Sequence, residues 1–75
     1  MNTAKIWINK KSRRYYKVLV YKDLLGDLVL VRNWGSLDTA RGGIKTELID
    51  PQQVNHLLAA IEKKRIKRNY EAVDA

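Results

Sequence analysis

The sequence predicts a single small α+β domain, in which an antiparallel β-sheet of about four to five strands packs against one α-helix in the C-terminal half. Apolar and polar residues alternate at a period of two over several segments before residue 50. A segment with the helical period of 3.6 residues follows them. The chain has only 75 residues, so we expect one domain over 1–75, with its core at about 4–73.

Four strands are predicted before the helix, at Ala4–Ile8, Tyr15–Lys22, Leu28–Trp34 and Ile44–Ile49. The first is a short apolar run near Ile6 that could form a first or an edge strand, and as an edge strand it could pair between chains. Asp23–Asp27 is predicted as a hairpin loop with Gly26 at positive φ. Connections this short favour antiparallel neighbours.

Three glycines follow Trp34 and are predicted to interrupt the strands. Gly35 is predicted to break the strand, and Gly42–Gly43 is predicted as a turn before Ile44. A backbone nest that binds a phosphate at this glycine pair is the alternative.

The helix has a clear start. Asp50 is predicted at the N-cap and Pro51 at N1, and Gln53 could close a capping box from N3. The buried stripe is predicted to contain Val54, Leu57, Leu58 and Ile61. We expect the helix to end near Arg65–Arg68, Asn69 to adopt a left-handed conformation, Tyr70–Val73 to add a short strand, and Asp74 and Ala75 to fray.

The composition favours a polyanionic partner. Fifteen Lys and Arg residues against eight Asp and Glu residues give a formal net charge of +7. DNA or another nucleic acid is the commonest partner for such a chain, and an anionic membrane or an acidic protein would also fit the charge. No apolar run approaches the roughly 20 residues of a membrane span, and no signal peptide is visible. We therefore expect a soluble, cytoplasmic chain without a membrane partner, and its charge would suit association with the nucleoid.

No pattern in the sequence predicts an enzyme. The chain has no cysteine and one histidine, which argues against a disulfide or a metal site, and we expect no cofactor and no small-molecule substrate. The carboxylates are spread along the chain, and neither Ser12 nor Ser36 lies in an activation motif. His56 has no partner for acid–base work and is predicted as a half-exposed structural residue.

Nine of the fifteen Lys and Arg residues fall into two clusters. Four cations lie within five positions in the loop after the first strand, and no acid precedes Asp23 to neutralise them. This density predicts anion binding that would hold phosphates without reading bases. The second cluster, between Lys63 and Arg68, could bind an anion or could simply complement the helix dipole.

Trp34 also has two interpretations. It could be a buried core or hairpin aromatic residue. It could instead be an exposed ring beside Arg32, Asn33 and Arg41, stacking on a base or sugar in a contact worth roughly 1–3 kcal/mol. Trp7, within an apolar run, is expected in the core.

From Arg14 to about Val73, four-fifths of the chain, the pattern resembles the WGR domain, which is named for a Trp-Gly-Arg motif. The matching segments are Arg14-Tyr15-Tyr16-Lys17-Val18, Asp23…Gly26, Val31-Arg32-Asn33-Trp34-Gly35-Ser36, Arg41-Gly42-Gly43, Lys45-Thr46 and Lys67-Arg68-Asn69-Tyr70-Glu71. The resemblance implies an antiparallel sheet with one helix packed on it. In poly(ADP-ribose) polymerases this domain is a DNA-binding and inter-domain module that grips broken ends.

Trp34 and Gly35 match the motif, whose tryptophan packs on the sugar of a terminal nucleotide in those polymerases. Ser36 stands where the motif has an arginine that helps to link DNA to neighbouring domains, so recognition of ends is not carried over. The transferase activity is not carried over either, because no transferase segment accompanies the domain.

We therefore predict a module that binds nucleic acid through phosphates without sequence preference, with Trp34 stacking on sugar or base. The predicted surface consists of Trp34, Asn33, Arg32, Arg41, Lys45, Lys10, Lys11, Arg13 and Arg14. The alternatives are a protein-interaction or regulatory module with the same basic face against an acidic partner, and a regulatory subunit of a larger enzyme.

Overall fold

The computed structural model describes residues 3–73, and these form one antiparallel sheet with one helix packed on it. The elements are β1 (Thr3–Asn9), β2 (Arg14–Lys22), β3 (Leu28–Ser36), β4 (Gly42–Ile49), a 3₁₀ turn (Pro51–Gln53), α1 (Val54–Lys67) and β5 (Glu71–Val73). The strand order is β4-β3-β2-β1-β5. This confirms the predicted α+β fold; the expected fraying of Asp74 and Ala75 lies outside the described residues.

The core lies between α1 and one face of the sheet, here called the helix face. Val18, Val20 and Leu30 alternate with outward-facing residues along β2 and β3, and each is at most 2% exposed. Trp7 is buried beside them, as predicted. From the helix, Val54 and Ile61 of the predicted stripe complete the cluster.

The opposite face, here called the open face, is also rich in apolar residues. Leu19, Ile44 and Leu48 are 40%, 66% and 68% exposed there. Val29 is only 5% exposed because residues of β2 and β4 flank it on both sides.

Among residues 3–73 no helix is long and apolar enough to cross a membrane.

Three predictions about the sheet are wrong. β1 is not an edge strand, because β5 pairs with it at Ile6–Ile8 and leaves β4 and β5 as the edges. Gly35 does not end β3, and Gly42–Gly43 is not a turn, because β3 and β4 pair through these glycines. The loop between the two strands is therefore only residues 37–41.

The β2–β3 hairpin forms as predicted. Gly26 has φ +87°, a conformation that a residue with a Cβ rarely adopts. The Asp23 carboxylate accepts hydrogen bonds from the backbone N–H groups of Leu25 and Asp27, both at 2.9 Å. These bonds fix the loop and leave Leu24 fully exposed at its tip.

Asp50 begins the helical segment as predicted, but the first turn is tighter than expected. Asp50 Oδ1 accepts from Gln52 N at 2.9 Å, and Gln53 N donates to the Asp50 carbonyl in a 3₁₀ arrangement. Among the described residues Gln53 does not close a capping box. The 3₁₀ geometry places the N–H of Gln52, rather than that of Gln53, against the cap.

The helix ends in a Schellman motif. Asn69 adopts φ +66° as predicted, Tyr70 N donates to the Arg65 carbonyl at 2.9 Å, and Asn69 N donates to the Ile66 carbonyl at 3.0 Å. The chain then turns back to form β5 beside β1.

Two Leu→Ala substitutions should separate core from surface. Leu30→Ala removes a side chain that is 0% exposed, and we expect a loss of about 2–5 kcal/mol in the free energy of unfolding. Leu24→Ala, at a fully exposed position, should change it by no more than about 0.5 kcal/mol. Urea denaturation followed by circular dichroism measures both, and equal losses would contradict the described core.

Candidate functional site

A concavity of about 960 Å³ lies where the end of the sheet meets the C-terminus of α1. Its sheet wall comes from the start of β2, the end of β3 and the start of β4. Its helix wall comes from Arg65, Arg68 and Tyr70. Its volume is near the upper end of the range for pockets that hold small ligands.

The concavity is strongly cationic. Six positively charged side chains line it, and among the described residues no aspartate or glutamate does. They are Arg14, Arg32, Arg41, Lys45, Arg65 and Arg68. With few acids to oppose them, these charges produce a local positive potential that attracts anions.

An aromatic–arginine stack forms the floor; it consists of Trp34, Tyr16, Arg65 and Tyr70. The Trp34 and Tyr16 rings are nearly parallel, with centroids 6.4 Å apart and an interplanar angle of 17°. They are neighbours because the register pairs these two residues across β2 and β3. On its other side Tyr16 contacts Trp7 of the core, with centroids 6.3 Å apart.

Arg65 lies within this stack, and the sequence prediction did not include it in the site. Its guanidinium carbon is 4.1 Å from the Tyr16 ring centroid and 5.1 Å from that of Tyr70. Arg65 is only 8% exposed, and its Nε is buried without a hydrogen-bond partner. Within residues 3–73 it forms no ion pair, so a buried positive charge faces the concavity without a protein counter-ion.

Trp34 is both packed and exposed, and its stacking on a base or sugar stays a prediction. The indole lies over Gly43 of the neighbouring strand, where a Cβ atom would approach Trp34 Cζ2 to 2.6 Å. It nevertheless remains 39% exposed. Gly43 is thus a glycine because the ring occupies the place of its side chain.

Arg32 is partly neutralised. Its Nη2 is 3.1 Å from Glu47 Oε1 across β3 and β4, but Arg32 Nε and Glu47 Oε1 both lack a well-aligned hydrogen bond. The contact is therefore an ion pair with poor hydrogen-bond geometry. It leaves donors on Arg32 that an anion could use.

The four cations that follow β1, here called the basic loop, divide into two groups. Arg14 lines the concavity, whereas Lys10, Lys11 and Arg13 do not. Lys10 Nζ lies 3.7 Å from Glu71 Oε2. Arg13, at φ +58°, donates two hydrogen bonds to the Asp38 carboxylate, at 3.1 and 3.2 Å.

Asn33 also lies apart from the concavity. Its side chain is on the open face, where Asn33 Oδ1 accepts a hydrogen bond from the Tyr15 hydroxyl at 3.4 Å. It lines a smaller cavity of about 360 Å³, which shares Trp34 and Arg41 with the larger one.

Ser36 organises the loop that carries Arg41. Its Oγ accepts hydrogen bonds from the backbone N–H groups of Asp38 and Thr39, at 3.1 and 3.2 Å. Ser36 N donates to the Arg41 carbonyl at 3.0 Å and closes the loop. Ser36 thus shapes the backbone beside the concavity.

The structure brings together five of the nine predicted site residues, Trp34, Arg32, Arg41, Lys45 and Arg14. Sequence reasoning missed Tyr16, Arg65, Arg68 and Tyr70 as members of the site. One signal was present for Arg65: it follows Ile61 by four positions and therefore continues the buried stripe of the helix.

The part of the chain that the structure describes contains no group of three or more metal-binding side chains, and His56 is exposed on the helix. No protein-family model matches the chain, and neither does a curated protein or a solved structure.

The Arg13–Asp38 pair predicts a pH dependence of stability. Hydrogen bonding from the Arg13 guanidinium lowers the pKa of the Asp38 carboxyl below its ordinary value. The pair's contribution is therefore fully present above the unfolded-state pKa of about 3.9, and it is lost as the pH falls through the folded-state pKa.

Asp38→Asn should therefore lower the Tm slightly at neutral pH, and the gap from the wild type should close in strong acid. Thermal unfolding at both pH values measures the gap. A gap of equal size in strong acid would contradict this role for the pair.

Proposed function

We infer that this protein binds nucleic acid through its phosphates, without sequence preference. The observation that carries the inference is the concavity: six cations line it without an acid among the described residues, and a partly exposed indole forms part of its floor. Phosphate contacts of this kind fix a nucleic acid in place but carry no base information.

The buried guanidinium of Arg65 supports the same function. Burying a charge is costly unless an opposite charge or hydrogen bonds compensate it. The rings of Tyr16 and Tyr70 provide part of this compensation through cation–π contacts. A phosphate in the concavity would supply the missing counter-ion, and planar guanidinium groups match phosphate oxygens well.

Trp34 would supply the second type of contact. Its exposed surface adjoins the cations, so a sugar or base could stack on the indole while the phosphates on either side meet Arg41 and Lys45. The resemblance to the WGR domain supports this role for the tryptophan, whereas Ser36 in the motif gives no support for recognition of DNA ends.

Titration of a labelled duplex, a single strand and a nicked duplex at two salt concentrations tests the function. We expect binding that weakens steeply with salt. Absence of salt-dependent binding to all three would overturn it. Equal competition by polyglutamate, together with unchanged binding by Trp34→Ala, would favour the acidic-protein alternative.

Two matched Lys→Gln substitutions locate the binding surface. Lys45 lines the concavity and Lys11 does not, yet each substitution removes one positive charge. We expect Lys45→Gln to reduce the slope of log K against log salt by about 0.9, the value for one phosphate contact with duplex DNA. Lys11→Gln should leave the slope unchanged. Fluorescence anisotropy measures both, and an equal reduction would place the binding surface elsewhere.

Trp34→Ala tests the stacking contact. We expect a loss of roughly 1–3 kcal/mol in binding free energy, and a smaller loss for Trp34→Phe, which keeps an aromatic ring. The helix-face core should survive both changes, because Trp34 is not among the core residues; circular dichroism checks this. A folded Trp34→Ala variant that binds like the wild type would refute stacking.

A further inference from the structure

β4 is a long edge strand whose protection is limited to the charged side chains of Lys45 and Glu47. Its eight residues pair with β3 on one side, and within residues 3–73 nothing pairs with the other side. The pairing with β3 runs from Gly42 to Ile49 without a bulge, and the strand contains no proline. An edge of this kind offers a row of backbone N–H and C=O groups to another strand.

The side chains of β4 are complementary to their own copy. In an antiparallel pair of two β4 strands centred on Thr46, Lys45 lies opposite Glu47 of the second copy, and Ile44 lies opposite Leu48. Both charge pairs are then of opposite sign, and both apolar pairs bring together side chains that are about two-thirds exposed. Opposite charges and apolar groups directly across two strands stabilise their pairing.

The charges of β4 also disfavour the two neighbouring registers, which are shifted by one residue at the centre of the pair. Centring the pair on Lys45 places two lysines opposite each other, and centring it on Glu47 places two glutamates opposite each other. Like charges in these positions destabilise a sheet. Centring on Thr46 avoids both and pairs seven residues, from Gly43 to Ile49.

The apolar residues of the open face also favour a second copy of this chain as the partner of β4. Ile44 and Leu48 lie on it together with Val29, the cross-strand neighbour of Leu48. A second copy would extend this apolar row across the junction, because a two-fold axis perpendicular to the sheet keeps the open faces on the same side.

We propose that two copies of this chain associate through β4 in antiparallel register about Thr46, forming one continuous ten-stranded sheet. The proposal does not depend on nucleic-acid binding, and its test uses protein alone. Equilibrium sedimentation should show a monomer–dimer equilibrium, and a chain that stays monomeric at about 1 mM would overturn the proposal.

Charge exchange tests the register. Lys45→Glu and Glu47→Lys each place like charges opposite each other twice, so each should weaken the dimer about tenfold. The double variant Lys45→Glu/Glu47→Lys restores opposite charges and should restore the dimer. Failure of the folded double variant to recover would refute the Thr46-centred register.

Cysteine cross-linking provides an independent readout, since the chain has no native cysteine. In the proposed register Thr46 meets its own copy at about 4.5–5.5 Å between Cα atoms, within the range that a disulfide spans. Thr46→Cys should form a covalent dimer under mild oxidation much faster than Leu25→Cys, which is 88% exposed at the hairpin tip. Equal rates would show random collision and overturn the proposal.

Discussion

The packing of Arg65 against Tyr16 is the contact on which the site depends. Tyr16 belongs to the sheet and contacts Trp7 in the core and Trp34 in the concavity, while Arg65 comes from the last turn of α1. An apolar residue at position 65 would join helix to sheet equally well. The Arg65 guanidinium joins helix to sheet and also places a positive charge at the boundary between the core and the concavity. The same contact therefore belongs to both the core and the site.

Much of the fold follows from local patterns in the sequence. Alternation along β2 separates its two faces, and Val18 and Val20 are buried on the helix face. Along β3 both faces are apolar, and Val29 on the open face is buried as well as Leu30 on the helix face. Gly26 and Asn69 were placed correctly because positive φ is rare for other residues and depends on near neighbours alone. Such features need no knowledge of distant parts of the chain.

The errors arise where a distant contact decides the outcome. Gly43 resembles a turn residue, but it lies in a strand because the indole of Trp34 occupies the space above it. Arg65 resembles a solvated cation, but two tyrosines from β2 and from the segment after the helix enclose it. β1 resembles an edge strand because the three-residue β5 that covers it has a weak pattern of its own. The four cations after β1 have no distinguishing signal in the sequence, but Arg14 pairs with Ser36 in the sheet, whereas Lys10 and Arg13 form ion pairs with Glu71 and Asp38.

The polarity of α1 has a consequence for selectivity. Helices often bind anions at their N-termini, where fixed backbone N–H groups and the positive pole of the dipole impose one geometry. Here the C-terminal residues Arg65 and Arg68 line the concavity, so the negative pole of the helix lies beside it and, within the described part of the chain, no helix N-terminus offers free N–H groups there. Attraction for an anion must therefore come from the long cationic side chains that line the concavity. Under the proposed function, such a surface would tolerate varied strand shapes and would respond to the density of negative charge more than to any particular arrangement of it.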